Sequence, residues 1–185
     1  MRLPGKLEHI SRKLTTEAGV GANAGVAMIF RMNSGKLELL LVKRAVIPGD
    51  PWSGDMAFPG GKKGVQDEDI MDTVTREVLE ETGIDVRKSC FLGMMSHVDS
   101  TVRQDISVVP LVFVLEKIPE VKINEELSSY QWTEFDKLKW RRGRSLVKDK
   151  DVPVFDIGDE RVWGLTYRML EKLLKLAEEL ITLST

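Results

Sequence analysis

The chain has 185 residues, 42% hydrophobic and 30% charged, with 27 Lys and Arg against 29 Asp and Glu. Those proportions suit a globular chain with a sizeable core and exclude a fibrous or disordered one. A formal net charge of −2 gives no global pull towards a nucleic-acid polymer or an anionic membrane, and the single cysteine, Cys90, excludes an internal disulfide and suits a reducing compartment.

Lys6, Glu8, Arg12, Lys13 and Glu17 interrupt the first twenty residues, which therefore read neither as a signal peptide nor as an anchor. No apolar run reaches membrane-spanning length, so the expected location is the cytoplasm. Leu3, Leu7, Ile10 and Leu14 recur at helical spacing and predict an amphipathic helix over 6–18, introduced by Pro4-Gly5 and ended by Gly19. Residues 1–21 are thus expected to be an appended segment that packs on a domain occupying 22–185. Residues 22–32 and 36–44 flank the turn signal Asn33-Ser34-Gly35 and predict a β-hairpin, in which Leu39-Leu40-Leu41 suits a strand covered on both faces. Residues 45–57 are punctuated by Pro48-Gly49, Pro51 and Gly54 and predict a loop walling a binding site. Trp52 in that loop reads equally as a packing residue or as a surface on which a base stacks.

Phe58-Pro59-Gly60-Gly61 then leads towards a helix that carries Arg76, Glu77, Glu80 and Glu81 and is stopped by Gly83. At 3.6 residues per turn the three glutamates share one face, directly beside the apolar stripe Ile70, Val74 and Val78. Glu80 and Glu81 also occupy the last turn, where the helix dipole favours cations. Like charges crowded there raise one another's pKa and cost stability unless a cation joins them, and a hard divalent ion with oxygen ligands meets that need. Arg76 can pair with Glu80 at i+4, but one arginine does not neutralise three acids.

Further on, 89–97 and 106–115 predict strands joined by a loop at 100–105 that carries Arg103. The second strand, ISVVPLVFVL, reads as central in a sheet, with Pro110 marking a local edge or bulge. Residues 120–124 and 129–133 read as strands, 134–139 as a short helix, and 139–150 as a basic, mobile, solvated loop. Leu165, Met169, Leu173 and Leu176 predict an amphipathic helix over 162–181.

The string Gly60-Gly61 followed by Arg76-Glu77-Val78-Leu79-Glu80-Glu81-Thr82-Gly83-Ile84 resembles the Nudix box, G-x5-E-x7-R-E-U-x-E-E-x-G-U with U apolar. Its first half is one residue long. Counted from Gly61, Asp67 fills the acid position but eight residues separate it from Arg76; Glu68 restores the seven and lengthens the first gap. Either acid stays open. The resemblance implies an α/β fold, the Nudix-type α/β/α sandwich with a mixed β-sheet between helices. It also implies hydrolysis of a pyrophosphate in a nucleoside diphosphate linked to another group, with Mg2+ or Mn2+ as cofactor. By the family's pattern Arg76, Glu77, Glu80 and Glu81 are catalytic. The metal falls to Glu77 and Glu81, then Glu80 and the Gly60 carbonyl, while Arg76 orients a carboxylate. The general base is unassigned: Glu125 and Glu126 read first as ordinary exposed acids, and His97 as a structural or exposed histidine.

A narrower resemblance is to coenzyme A pyrophosphatases. Leu40-Leu41-Val42-Lys43-Arg44, Gly54-Asp55-Met56-Ala57 entering Phe58, and Trp163-Gly164-Leu165-Thr166 carry it. It implies coenzyme A or a derivative as substrate, with Arg44, Lys43, Lys62 and Lys63 available to the 3′-phosphate and Gly61 and Trp52 also in contact. Ala45 departs from an expected serine, and 46–53 lacks that group's basic residue and is one residue longer. ADP-ribose and other nucleotides, nucleoside triphosphates included, are the alternatives. A non-catalytic nucleotide sensor on the same fold is the reading of a different class, and retention of Glu77, Glu80 and Glu81 favours the enzyme. The expected partner is a small-molecule nucleotide, with no nucleic-acid polymer and no membrane; a homodimer stays open.

Overall fold

A computed structural model describes residues 3–16, 21–117 and 119–178. Strands β1 (Ala24–Asn33) and β2 (Lys36–Arg44) form the expected hairpin. Ser34 and Gly35 at its tip have φ of 49° and 77°, the two left-handed residues that a type I′ turn requires. The chain continues through the two-residue β3 (Met56–Ala57), which pairs with β2, and β4 (Gly60–Lys62), which pairs with β1. Helix α2 (Ile70–Thr82) follows, then β5 (Cys90–Met94), β6 (Val98–Asp99), β7 (Ser107–Val114) and β8 (Leu127–Glu134). The main sheet runs β3-β2-β1-β7-β5, with β8 also on β2; β1 and β7 are parallel and their other neighbours antiparallel, so the sheet is mixed.

Alternation along the central strands decides what covers each face. Met28 and Phe30 of β1, Leu39 and Leu41 of β2, and Val112 and Val114 of β7 point to one side. There they meet Leu7 and Ile10 of α1 (Gly5–Ser11), Phe135 and Leu138 of α3 (Phe135–Leu138), and Met169, Leu170 and Leu173 of α4 (Gly164–Glu178). Ala27, Ile29, Leu40, Val42 and Leu111 point to the other side, against Ile70, Val74 and Val78 of α2. Each of these large apolar side chains contributes roughly 1.5–3 kcal/mol by leaving water. Helices on both faces of a mixed sheet make the sandwich expected from the sequence.

Several elements differ from their sequence-based expectation. Helix α1 ends at Ser11 because Thr15 exchanges two backbone hydrogen bonds with Met94, taking the chain out of helical register. The expected Gly19 stop and the end of the last helix at Ile181 lie outside the described residues. That helix begins at Gly164, since Val162 belongs to a strand. Residues 120–124 form no strand: Lys122 and Asn124 donate their N–H groups to the carbonyls of Thr82 and Glu81. They thereby satisfy carbonyls that the end of a helix leaves free. Pro110 sits inside a central strand, opposite the interruption between β5 and β6, where its missing N–H breaks no ladder bond. The stretch expected as a mobile loop is a hairpin of β9 (Arg142–Val147) and β10 (Lys150–Ile157), which with β11 (Glu160–Val162) forms a second sheet. Among the described residues no helix is long and apolar enough to cross a membrane.

Candidate active site

Helix α2 is fixed at both ends. Asp69 accepts a hydrogen bond from the Asp72 N–H at its start, and Gly83 closes it with φ of 71°. Its acid-bearing face lies against β4. Gly60 there has φ of 142°, and a Cβ would stand 2.3 Å from the Gly25 carbonyl oxygen, so only glycine fits. A Cβ on Gly61 would come within 2.8 Å of the Glu77 carboxyl carbon. The backbone of the Gly-rich turn and the carboxylates of α2 are therefore in direct contact.

Arg76 organises one half of this face. Its Nε and one terminal nitrogen each donate to Asp67 at 2.9 Å, a two-point clasp on a buried carboxylate that also accepts the Gly64 N–H at 2.8 Å. The bonds donated by Arg76, ahead of every other influence, hold Asp67 well below the usual carboxylate range, and Asp67 in turn raises Arg76. Glu68 is exposed, so the acid that faces Arg76 is Asp67. The remaining guanidinium nitrogen stands 2.8 Å from Glu77 and 3.2 Å from Glu80.

The three glutamates then part company. Glu80, with a side chain 56% exposed, joins Arg76, Asp67 and Asp72 around an outer recess. Glu77 and Glu81 instead face a cavity of about 460 Å3. Glu81 is only 4% exposed, and one of its oxygens accepts the Gly60 N–H at 2.9 Å. Burial first, then the charges of Glu77 and Glu126, push its carboxyl up to about 7, against the opposing pull of the Gly60 N–H and Arg44. Glu126 reaches the same cavity because the segment before it is bonded to the end of α2 and its own carbonyl accepts the Ala45 N–H at 2.8 Å.

Among the described residues no three Asp, Glu, His or Cys side chains already converge as a cage for a metal ion. The donor set nevertheless fits one. Besides Asp55, which Lys148 and Trp163 hold, the three carboxylates of Glu77, Glu81 and Glu126 and a glycine-lined backbone face one cavity, and Glu81, buried, is disfavoured as an anion without added positive charge. Glu77, Glu81, Glu126 and Gly60 would hold a hard divalent cation here, whereas Glu80 stands with Arg76 on the outer side.

The other candidate residues divide likewise. Arg44, Trp52, Gly61 and Lys62 all line the cavity. Arg44 donates to Asp50 at 2.8 Å, and its Nε is buried without a partner among the described residues. Lys62 stands 3.6 Å from Asp105 at the exposed rim. Of the two readings of Trp52 the structure shows the packing one: the ring lies against the core while also lining the cavity. Lys43 pairs instead with Glu160 of β11, and Lys63 donates to the Glu68 carbonyl at 2.7 Å, so neither joins the cavity wall. His97 is exposed, 4.0 Å from Asp99. Sequence reasoning set Glu126 aside and gave no role to Asp55, Trp163, Leu165 or Met169, which also line the cavity. The signal for Glu126 was its place in a loop after the helix; for the α4 residues it was the Trp163-Gly164-Leu165-Thr166 string.

The family model of the NUDIX domain matches residues 21–151 of this chain. The mitochondrial coenzyme A diphosphatase NUDT8 of Mus musculus is 28% identical over 138 residues, covering 66% of this chain and 62% of that protein. The ADP-ribose pyrophosphatase of Methanocaldococcus jannaschii is 30% identical over 102 residues, covering 55% of this chain and 57% of that protein. This chain thus spans less than two thirds of the length of both curated relatives. Among solved structures, the MutT protein from Methanosarcina mazei Go1 superposes with a TM-score of 0.55 at 22% identity, over 84% of this chain and 94% of that one, a likeness of fold.

Proposed function

The chain belongs to the NUDIX domain family, and we propose that it is a divalent-metal-dependent pyrophosphohydrolase whose substrate is a nucleoside diphosphate linked to a second group, with coenzyme A or a derivative foremost. The observation that carries the reading is the buried Glu81, lifted to about 7 beside Glu77 and Glu126 on the main cavity. Nothing in a structural ion pair calls for that arrangement, whereas a site that gathers positive charge for phosphate does.

When bound, Mg2+ or Mn2+ would supply positive charge for the phosphoryl oxygens and acidify water. The chain's own residues supply the rest. The Gly60 N–H fixes one Glu81 oxygen and so holds the carboxylate at the cavity. Arg76, itself locked by Asp67, holds Glu77 in orientation, so its part is positioning. Gly61 lets backbone and diphosphate approach where a side chain would intervene. Trp52, Phe58, Trp163 and Met169 offer the organic part of the substrate an apolar wall that excludes water.

Two observations favour coenzyme A. The relative NUDT8 is a coenzyme A diphosphatase, and Arg44 lines the cavity with a guanidinium, a group suited to an extra phosphate. The Methanocaldococcus relative keeps ADP-ribose as the second reading. Product analysis with Mg2+ or Mn2+ on coenzyme A, ADP-ribose, NADH, a diadenosine polyphosphate and 8-oxo-dGTP decides between them. Phosphopantetheine and an adenosine bisphosphate are expected from coenzyme A. Tight binding of one compound with cleavage of none would replace the enzyme by a sensor, and inorganic pyrophosphate from the triphosphate would replace the substrate class.

A further inference from the structure

Three segments far apart in sequence meet at one wall of the cavity. Trp163 Nε1, at the entry to α4, donates to one Asp55 oxygen at 3.1 Å. Lys148 Nζ, from the tip of the β9–β10 hairpin, donates to the other at 3.0 Å and to the Pro51 carbonyl at 2.8 Å. The same ammonium stands 5.2 Å from the centre of the Trp163 ring. Pro51, Trp52, Asp55 and Trp163 all line the cavity, whereas Lys148 reaches them from outside it.

The turn that carries Lys148 is a poor one for lysine. Lys148 and Asp149 have φ of 47° and 62°, a left-handed pair for which glycine and asparagine are the favoured residues. A residue held against its local preference points to work done by its side chain. Here that work is mechanical. Residues 45–55 have no strand or helix of their own, so their anchors set where the Trp52 wall stands. Both Asp55 oxygens are engaged by these anchors, and the rings of Trp52 and Trp163 stand on the cavity beside them.

Resting on the pyrophosphohydrolase reading, we propose that Lys148 is a positioning residue for specificity: by clasping Asp55 and Pro51 it holds the Trp52 loop and Trp163 together as the wall that receives the uncharged organic group of the substrate. The carboxylates arrive on α2 and on the segment preceding β8, neither of which the clasp touches. Loosening the wall should therefore weaken binding and spare the chemical step.

The test uses the full chain with Mg2+ and the best substrate of the panel. Lys148→Met keeps the apolar stem and removes the ammonium; Lys148→Arg keeps the cation. Lys148→Met should raise KM about fivefold, equivalent to about 1 kcal/mol, and move kcat by less than about twofold. Lys148→Arg should recover most of the loss. In 15N-labelled protein the Trp163 indole N–H resonance, identified by its absence in Trp163→Phe, should shift in Lys148→Met and exchange faster with water. If wild type cleaves nothing in the panel, the parent reading falls and the inference with it. If wild type cleaves and Lys148→Met keeps its KM, the inference alone is overturned, whatever the indole signal does. A joint fall of kcat and melting temperature would mark general loss of structure and overturn it as well.

Discussion

Replacing Glu81 by glutamine separates the two consequences of burying that carboxyl. In the metal-free chain it is lifted from 4.5 to about 7, by burial first and then by Glu77 and Glu126. At about 1.4 kcal/mol for each tenfold of proton affinity, ionising it within the fold costs roughly 3 kcal/mol. Between those two values the folded state keeps a proton that the unfolded chain has released. Stability from this group is therefore complete below pH 4.5 and is lost as pH rises through about 7. Glutamine retains an oxygen for the Gly60 N–H and carries no charge. By calorimetry in EDTA near pH 8, Glu81→Gln should melt higher than wild type by up to roughly 10 °C. Near pH 5 the two should converge. Mg2+ should raise the wild-type melting temperature and leave the variant unmoved, while turnover drops by about a hundredfold or more. A variant no firmer than wild type near pH 8, or equally firmer at both pH values, would refute the claim that Glu81 is held ionised against its burial.

Gly61→Ala should cut kcat by about tenfold with little change in melting temperature, because the new Cβ would stand 2.8 Å from the Glu77 carboxyl carbon; undiminished kcat would separate Glu77 from the reaction. Gly60→Ala meets backbone instead, 2.3 Å from the Gly25 oxygen, and should show its effect as lost stability in a thermal melt. Asp67→Asn frees Arg76 and should lower kcat/KM about tenfold, whereas Glu68→Gln, at an exposed position, should leave it unaltered; equal losses would return the acid position of the box to doubt. Arg44→Ala should weaken coenzyme A about tenfold more than its 3′-dephospho form in steady-state kinetics, and an equal loss would remove the 3′-phosphate contact.

The β1–β2 hairpin, the walling loop and helix α2 were legible because each is specified locally. Asn33-Ser34-Gly35 encodes a turn, Pro48-Gly49 and Pro51 break regular structure, and the 3.6-residue period puts Val74 and Val78 inside and the glutamates at the edge. The β9–β10 hairpin was not legible. Its tip is Lys148-Asp149, without the glycine or asparagine that announces such a turn, and β9 is largely exposed, so no apolar alternation marks it.

By itself the sequence determined that acids would crowd one face of a capped helix against a glycine turn, since spacing along a helix is fixed by the backbone. Which of those acids share a cavity was decided only in three dimensions. Arg76 draws Glu80 outward, Asp67 rather than Glu68 locks Arg76, and hydrogen bonds to the end of α2 bring Glu126 beside Glu81. Those outcomes depend on how separate elements pack and on which partners burial leaves each charge, and no local period in the chain carries that information.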